Sequence, residues 1–473
     1  MATTEKPPSA RPAPGSGGTL DRYFHISERG SSVRIEVIAG LATWLTMAYI
    51  LFVNPQILGQ ATDRDSVQLA FDQVLTVTAL VAAVTTLAMG LYAKYPFAIA
   101  AGLGLNAFVA FTLVLGHGLS WPEAMGVIVI EGLVITVLVL TGFRNAVLNA
   151  IPMDLKRAIG IGIGLFIAFI GLTVNAPLVR QGEGTILALD IDYITSLRNL
   201  VFVIGLGLTA ALVARRVRGA LLIGILATTV VGILINEIWG DGLLWGETPI
   251  GNFTTDIVAA PDFALVGNFS FNVFDTLAFV TALGLILSVM LSDFFDTMGT
   301  VIGIGGEAGL LDKEGRLPGI NRVLVVDSLA AAAGGAASAS SNTTYIESAA
   351  GVSEGGRTGL TSVVVGVLFL LSLFLSPLAG VIPPEATAPV LVIVGYFMMR
   401  IVREIRWSDP GVGIPVLLTM VMMPFTFSIT NGVGIGFITY SAIAVLRGRW
   451  KEVHWLMYIV SAIFVVYFLG VLD

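Results

Sequence analysis

The chain has 473 residues, of which 56% are hydrophobic and 12% charged, and its mean hydropathy is +0.90. A soluble domain is about half apolar and a quarter charged, so this is the composition of a membrane protein and not of a cytosolic enzyme on a tail anchor. The lack of cysteine removes disulfides and thiolate chemistry, the three distant histidines (His25, His117, His454) make no metal cluster, and a net charge of −7 with scattered Lys and Arg argues against a nucleic-acid partner.

Residues 1–33 are polar and rich in Pro, Gly and Ser, and read as a disordered cytoplasmic tail. Apolar runs then recur with short breaks, at about 35 to 58, 74 to 93, 97 to 115, 122 to 142, 158 to 176, 200 to 214 and 219 to 239. A polar stretch, 241–271, reads as an extracellular loop. The runs resume at about 272 to 300, 322 to 337, 342 to 352, 360 to 378, 386 to 402, 411 to 429 and 432 to 447. The expected fold is therefore an all-α polytopic membrane protein of fourteen spans. A last apolar run, 453 to 472, lies within a C-terminal segment, 449–473, and is long enough either to cross or to lie along the interface.

The distribution of positive charge tests that count. With the amino terminus in the cytoplasm, only Arg64, Arg180 and Arg198 of the 25 Lys and Arg fall outside, the asymmetry expected of a correctly threaded chain. Seven spans per half start the second half from the opposite side, so any internal repeat is inverted, the arrangement common in secondary transporters.

Two segments in corresponding places, the third and the tenth, are poor membrane helices. PFAIAAGLGLNAFVAF carries Gly102, Gly104 and Asn106, and SASSNTTYIESAAG has no large aliphatic residue between Ala339 and Ile346. Neither can face lipid along its length, because unpaired amides in hydrocarbon cost several kcal/mol each. Broken spans in matching positions point to a transporter's central site. The two half-helices are expected to meet near the midplane with their amino-terminal amides toward substrate.

Ionisable residues within spans are expensive and suspected of function. Here they are Glu131, Asp275, Asp293, Asp296, Asp327 and Glu347. Asp293 and Asp296 are three apart, hence neighbours on one helix face, and Glu347 follows TTYI at the start of the tenth helix. None has an evident Lys or Arg partner inside the membrane, so all three are candidates for proton exchange. Glu131, among bulky apolar residues, reads as a protonated or packed group, Asp327 as a structural contact, and Asp275 as a residue of the outer interface. The glycines of GIGIGLF (160 to 166) read as helix packing at Gly160 and Gly164, since no strand or Walker Lys accompanies them. No hydrolase triad or metal motif is present, so neither an enzyme nor a cofactor is expected.

Five segments resemble the AzgA-type purine permeases of the nucleobase transporter superfamily, which also includes xanthine and uracil permeases. They are IEVIAGLATWLTMAYILFVNPQIL (35 to 58), AGLGLNAFVAFTLVLG (101 to 116), DFFDTMGTVIGIGGEAGLLD (293 to 312), NTTYIESAAGVSEGGRTGLT (342 to 361) and MMPFTFSITNGVGIGFITY (422 to 440). The resemblance implies a seven-plus-seven inverted repeat with spans 3 and 10 broken by short extended segments. It divides the chain into a core domain (34–142 and 272–380) and a gate domain (143–240 and 381–448). It further implies proton-coupled uptake of adenine, guanine and hypoxanthine across the cell membrane, commonly by a homodimer. Carried over, the substrate acids fall on Asp296 and Asp293, the span-ten glutamate on Glu347 and the span-three asparagine on Asn106; Glu131 departs from the family pattern.

The chemistry suits a purine, whose N–H donors a carboxylate accepts and whose ring acceptors an amide or Asn106 meets. Phe294, Phe295 and Tyr345 are placed to stack or to pack. The other readings are an anion transporter or another nucleobase (xanthine or uracil) transporter on the same fold. The sign of the central charge discriminates against the former, since an anion site needs a cation or bare amide dipoles where this chain carries acids. Protons rather than Na⁺ are the expected coupling ion.

Overall fold

Apolar runs that cannot leave backbone amides unpaired in hydrocarbon must coil. The structure, a computed structural model, describes residues 18–142, 150–182, 185–246, 248–312 and 316–469 and is mostly helical. In chain order it contains α1 (Thr19–Phe24), α2 (Val33–Met47), α3 (Ile50–Leu58), α4 (Phe71–Ala93), β1 (Ile99–Ala101), α5 (Leu103–Gly116), α6 (Trp121–Leu140) and α7 (Met153–Asn175). A hairpin, β2 (Val179–Gly182) and β3 (Thr185–Leu189), leads to α8 (Leu197–Ala214), α9 (Ala220–Trp239), α10 (Phe279–Glu307) and α11 (Ile320–Ala336). Then come β4 (Asn342–Thr344), α12 (Ser348–Ser353), α13 (Gly359–Ser372), α14 (Pro384–Glu404), α15 (Pro410–Phe425), α16 (Ile429–Leu446) and α17 (Trp455–Leu469). Among the described residues nine helical stretches are long and apolar enough to cross a membrane, and α5, α13, α15 and α17 are shorter apolar helices.

Several local expectations need correction. Of the tail expected over 1–33, residues 1–17 lie outside the described residues, but Thr19–Phe24 is helical. Phe24 and Ile26 are buried in a small cluster with Leu360, and Lys94 Nζ donates to Tyr23 O at 3.0 Å, which is why this stretch is ordered. The span expected from 272 starts at Phe279, because Val273–Thr276 is a separate turn ended by extended Leu277. The β2–β3 hairpin was not anticipated at all. Gly164 packs as expected, since a Cβ there would lie 2.6 Å from Met398 Cβ, but Gly160 has nothing within 4 Å.

The helices sort into two packed sets. In one, α6 lies against α11, α4 and α2 lie against α13, and α2 touches α12. In the other, α7 lies against α14 and α15, α8 against α9 and α14, and α15 against α16. The sets meet through α5 and α10, which contact α7, and through α10 on α16 and α17. A buried polar knot also joins them: Gln56 Oε1 accepts from the Thr387 hydroxyl and, at 3.4 Å, from Asn175 Nδ2.

Helix starts are fixed by side chains that satisfy free amides. Ser120 and Glu123 form a capping box on α6, and the Ser32 hydroxyl accepts from Ile35 N on α2. Glu36, which the sequence reading passed over, is fully buried. Its carboxylate takes Arg357 N (3.0 Å), Thr358 N (3.2 Å) and the Thr361 hydroxyl (2.6 Å), and so clamps α2 to the start of α13.

Candidate functional site

The two broken segments answer each other's backbone. β1 and β4 pair antiparallel, with Ile99 opposite Thr344, Ala100 opposite Thr343 and Ala101 opposite Asn342, and all six residues are buried. Gly102 N donates to Ser341 O and Tyr345 N to Ala98 O, both at 2.9 Å, extending the ladder at each end. Neither strand could lie at membrane depth alone, since each supplies the hydrogen bonds the other lacks.

Side chains from surrounding helices hold this ladder. Asp327, on α11, accepts from Thr344 N (2.8 Å), from the Thr344 hydroxyl (2.6 Å) and from the Thr297 hydroxyl (2.6 Å). It makes the structural contacts expected of it. Thr86 Oγ1 brackets Ile99, donating to its carbonyl and accepting from its amide. Asn54 Nδ2 reaches Thr78 Oγ1 and the carbonyl of Ala339, in the turn before β4.

Against this frame stand the candidate residues. Asp296, on α10, is exposed, and the charges acting on it are those of Asp327 and Glu347. A carboxylate at membrane depth that protein does not cover has to open on water rather than lipid. Glu347, between β4 and α12, is half-buried and accepts from the Tyr49 hydroxyl at 2.6 Å. The structure therefore brings Asp296 and Glu347 to one place from different elements, as α10 and α12 touch. Asn106, on α5, is fully buried, and neither its amide oxygen nor its nitrogen has a hydrogen-bond partner. Such a group carries a desolvation cost of about 1–3 kcal/mol that a ligand's polar atoms would relieve.

Asp293, Phe294 and Asp275 point elsewhere, while Tyr345 stays in range of both acids, Asp296 and Glu347. Asp293 is 1% exposed and turns to Glu131 instead of joining Asp296 on an open face. Tyr345 is buried and donates from its hydroxyl to Ala101 O at 2.5 Å, which fixes its ring against the end of β1. Phe294 is buried and packs edge-on to Phe295, whose own ring lies 5.3 Å beneath Lys156 Nζ. Asp275 is exposed in the turn before α10.

Sequence reasoning missed Tyr49. Its hydroxyl, the one polar tip in MAYILF, had a signal, because a buried tyrosine seeks a hydrogen-bond partner. Tyr49→Phe removes the bond that orients Glu347 and leaves the ring in place. We expect half-saturation for substrate to rise by up to about tenfold, the equivalent of about 1.4 kcal/mol, at unchanged protein abundance, read from concentration-dependent uptake.

Three comparisons bear on this arrangement. The profile of the Permease family, the xanthine and uracil permease group, matches residues 34–435. The guanine/hypoxanthine permease PbuG of Bacillus subtilis is 41% identical over 95% of this chain and 99% of its own length. The adenine permease AdeQ of Escherichia coli is 38% identical over 94% of this chain and 95% of its own. Among solved structures, the transmembrane domain of the cyanobacterial bicarbonate transporter BicA superposes with a TM-score of 0.59 at 13% identity, over 85% of this chain and 97% of that domain. That likeness is one of fold.

Proposed function

This chain belongs to the nucleobase permease family, a transporter and not an enzyme, and on that premise we propose that it takes up the purine bases adenine, guanine and hypoxanthine together with protons, by alternating access. Its relatives are named as carriers of these bases. One observation carries the assignment to residues: the open carboxylate of Asp296 and that of Glu347 converge beside the β1–β4 ladder. Two acids there accept the ring N–H and exocyclic amine donors of a purine, while the unpartnered Asn106 amide is free to answer its ring acceptors. Asp293, turned to Glu131, belongs on this reading to proton coupling, and Tyr345 lines the base site from the β4 side.

In this proposal the two helix sets are the core and gate domains of a fourteen-span, seven-plus-seven inverted repeat. The core, α2–α6 and α10–α13, carries both broken segments and slides against the gate, α7–α9 and α14–α16. The protein sits in the cell membrane with its amino terminus in the cytoplasm, as a homodimer. An anion substrate on the same fold is disfavoured by the central charge, because the charges acting on Asp296 are themselves acidic.

Uptake of labelled hypoxanthine into cells lacking other purine permeases tests the reading. Adenine and guanine should compete, xanthine and uracil should not, and a protonophore should remove accumulation. A site built to meet specific donors rejects analogues without them by orders of magnitude. Competition by bicarbonate with none by purines would overturn it.

A further inference from the structure

Behind the proposed base site lies a second group of acids that the binding of a purine does not use. Glu131, on α6, is 0% exposed and Asp293, on α10, is 1% exposed. α6 and α10 pack on one another, and their two buried carboxyl groups lie close enough to act on each other. On each acid one oxygen, Glu131 Oε1 and Asp293 Oδ1, is buried without a hydrogen-bond partner. The Ser341 hydroxyl faces Glu131 Oε2 at 3.4 Å and the Thr343 hydroxyl reaches Asp293. The charges acting on the pair are each other's and that of Asp327 on α11. Lys156, at the start of α7, is directed onto the Phe295 ring. Among the described residues no ion pair reaches Glu131 or Asp293.

Ionised carboxylates only accept hydrogen bonds, so two buried side by side with no cation between them are satisfied only when one of them carries a proton. Like charges at that distance in a dry interior cannot both persist, which is the logic of carboxyl dyads in general. Resting on the reading of proton-coupled purine uptake, we infer that the Glu131–Asp293 pair is the binding site of the transported proton. One oxygen carries the proton and the facing oxygen accepts it. When the proton leaves to water, both groups are charged and repel.

The pair is wired to the ladder. Thr343, which contacts Asp293, is in β4 and shares a 2.6 Å hydrogen bond with Thr297, which in turn donates to Asp327. Thr297 follows Asp296 in sequence, and β4 leads through Tyr345 to Glu347. A change of charge at Glu131 and Asp293 thus acts on β4, which leads to Glu347, and through Thr297 on the turn of α10 that carries Asp296. Glu131 is a positioning residue for the base and a direct ligand only of the proton.

The test compares wild type with E131Q, full-length, in proteoliposomes. Glutamine keeps the shape without a titrating group. Purine counterflow, which needs no net proton movement, should fall far less than uphill accumulation. Accumulation driven by an acid-outside gradient, and proton uptake coupled to purine entry, should fall at least about fivefold, the lower bound of ordinary coupling between sites. Coupled proton uptake equal to wild type overturns the inference. A second readout needs no purine: infrared spectra of the purified protein at neutral pH should lose the band of one protonated carboxyl in the double variant E131Q/D293N. An unchanged band also overturns it. Should the wild type move no purine at all, the functional reading fails, while the infrared result still decides whether the pair holds a proton.

Discussion

Glu347→Gln should lower purine uptake by one to two orders of magnitude while the protein still reaches the membrane in normal amount. The carboxylate of Glu347 is held by the Tyr49 hydroxyl at 2.6 Å and stands within electrostatic range of Asp296. Glutamine has nearly the same shape and its oxygen still accepts from Tyr49, so the local packing survives. What is lost is a charged acceptor, and a hydrogen bond to a charged group is worth about 1.5–3 kcal/mol, hence about 10- to 150-fold in affinity. The amide nitrogen would also meet purine N–H donors head on, as two donors without an acceptor. Labelled hypoxanthine uptake, normalised to protein detected in the membrane, checks the outcome. Combining the change with Tyr49→Phe should be less than additive, because both act through one contact. Undiminished uptake by Glu347→Gln would remove this residue from the site.

Gly334→Ala should damage both stability and transport, although it adds one methyl group whose nearest neighbours are Ser340 and Asn342 and not the proposed base-binding acids. Gly334 lies near the end of α11, and a Cβ there would fall 2.0 Å from Ser340 O and 2.3 Å from Asn342 Nδ2. The turn it would strike has little room to yield. Ser338 and Ser340 already adopt left-handed backbone angles, with φ of 58° and 70°. Ala339 N bonds back to Gly334 O at 2.8 Å, Asn54 Nδ2 holds Ala339 O, and the Ser338 hydroxyl holds Asn268 O. The methyl must therefore move α11 or the start of β4, the strand that carries the ladder. Overpacking of this kind costs about 1–3 kcal/mol, and here displacement of β4 should also cut uptake at least about tenfold, a loss equivalent to the 1.4 kcal/mol within that range. The measurement is the thermal midpoint in detergent together with uptake. Gly160→Ala, with nothing within 4 Å of its Cβ, is the matched control and should leave both unchanged.

Much of this molecule is legible without coordinates. Hydrocarbon demands long apolar helices, so composition alone assigns the class and the runs locate nearly every helix. Two segments too polar and too small to coil against lipid mark where the backbone must be satisfied by something else. The acids stand out because isolated charge is rare in such a chain.

Other features were invisible for reasons that are equally physical. Asp293 and Asp296 are three residues apart on one helix, yet the neighbours of α10 differ on its two sides, and only the packed structure sends Asp293 to Glu131 and leaves Asp296 open. Glu36 looks like a stray acid at a helix start until the first turn of α13, more than 300 residues later, supplies the amides it caps. Tyr49 is an ordinary polar residue in sequence and acquires its role only from the partner it meets. By itself the sequence determined that the chain lives in a bilayer, where its helices run and which charges had to be explained, because those follow from local solvation. Which acid faces water, which faces another acid and which merely ties a strand in place was decided only by tertiary structure, since each depends on groups brought from distant parts of the chain.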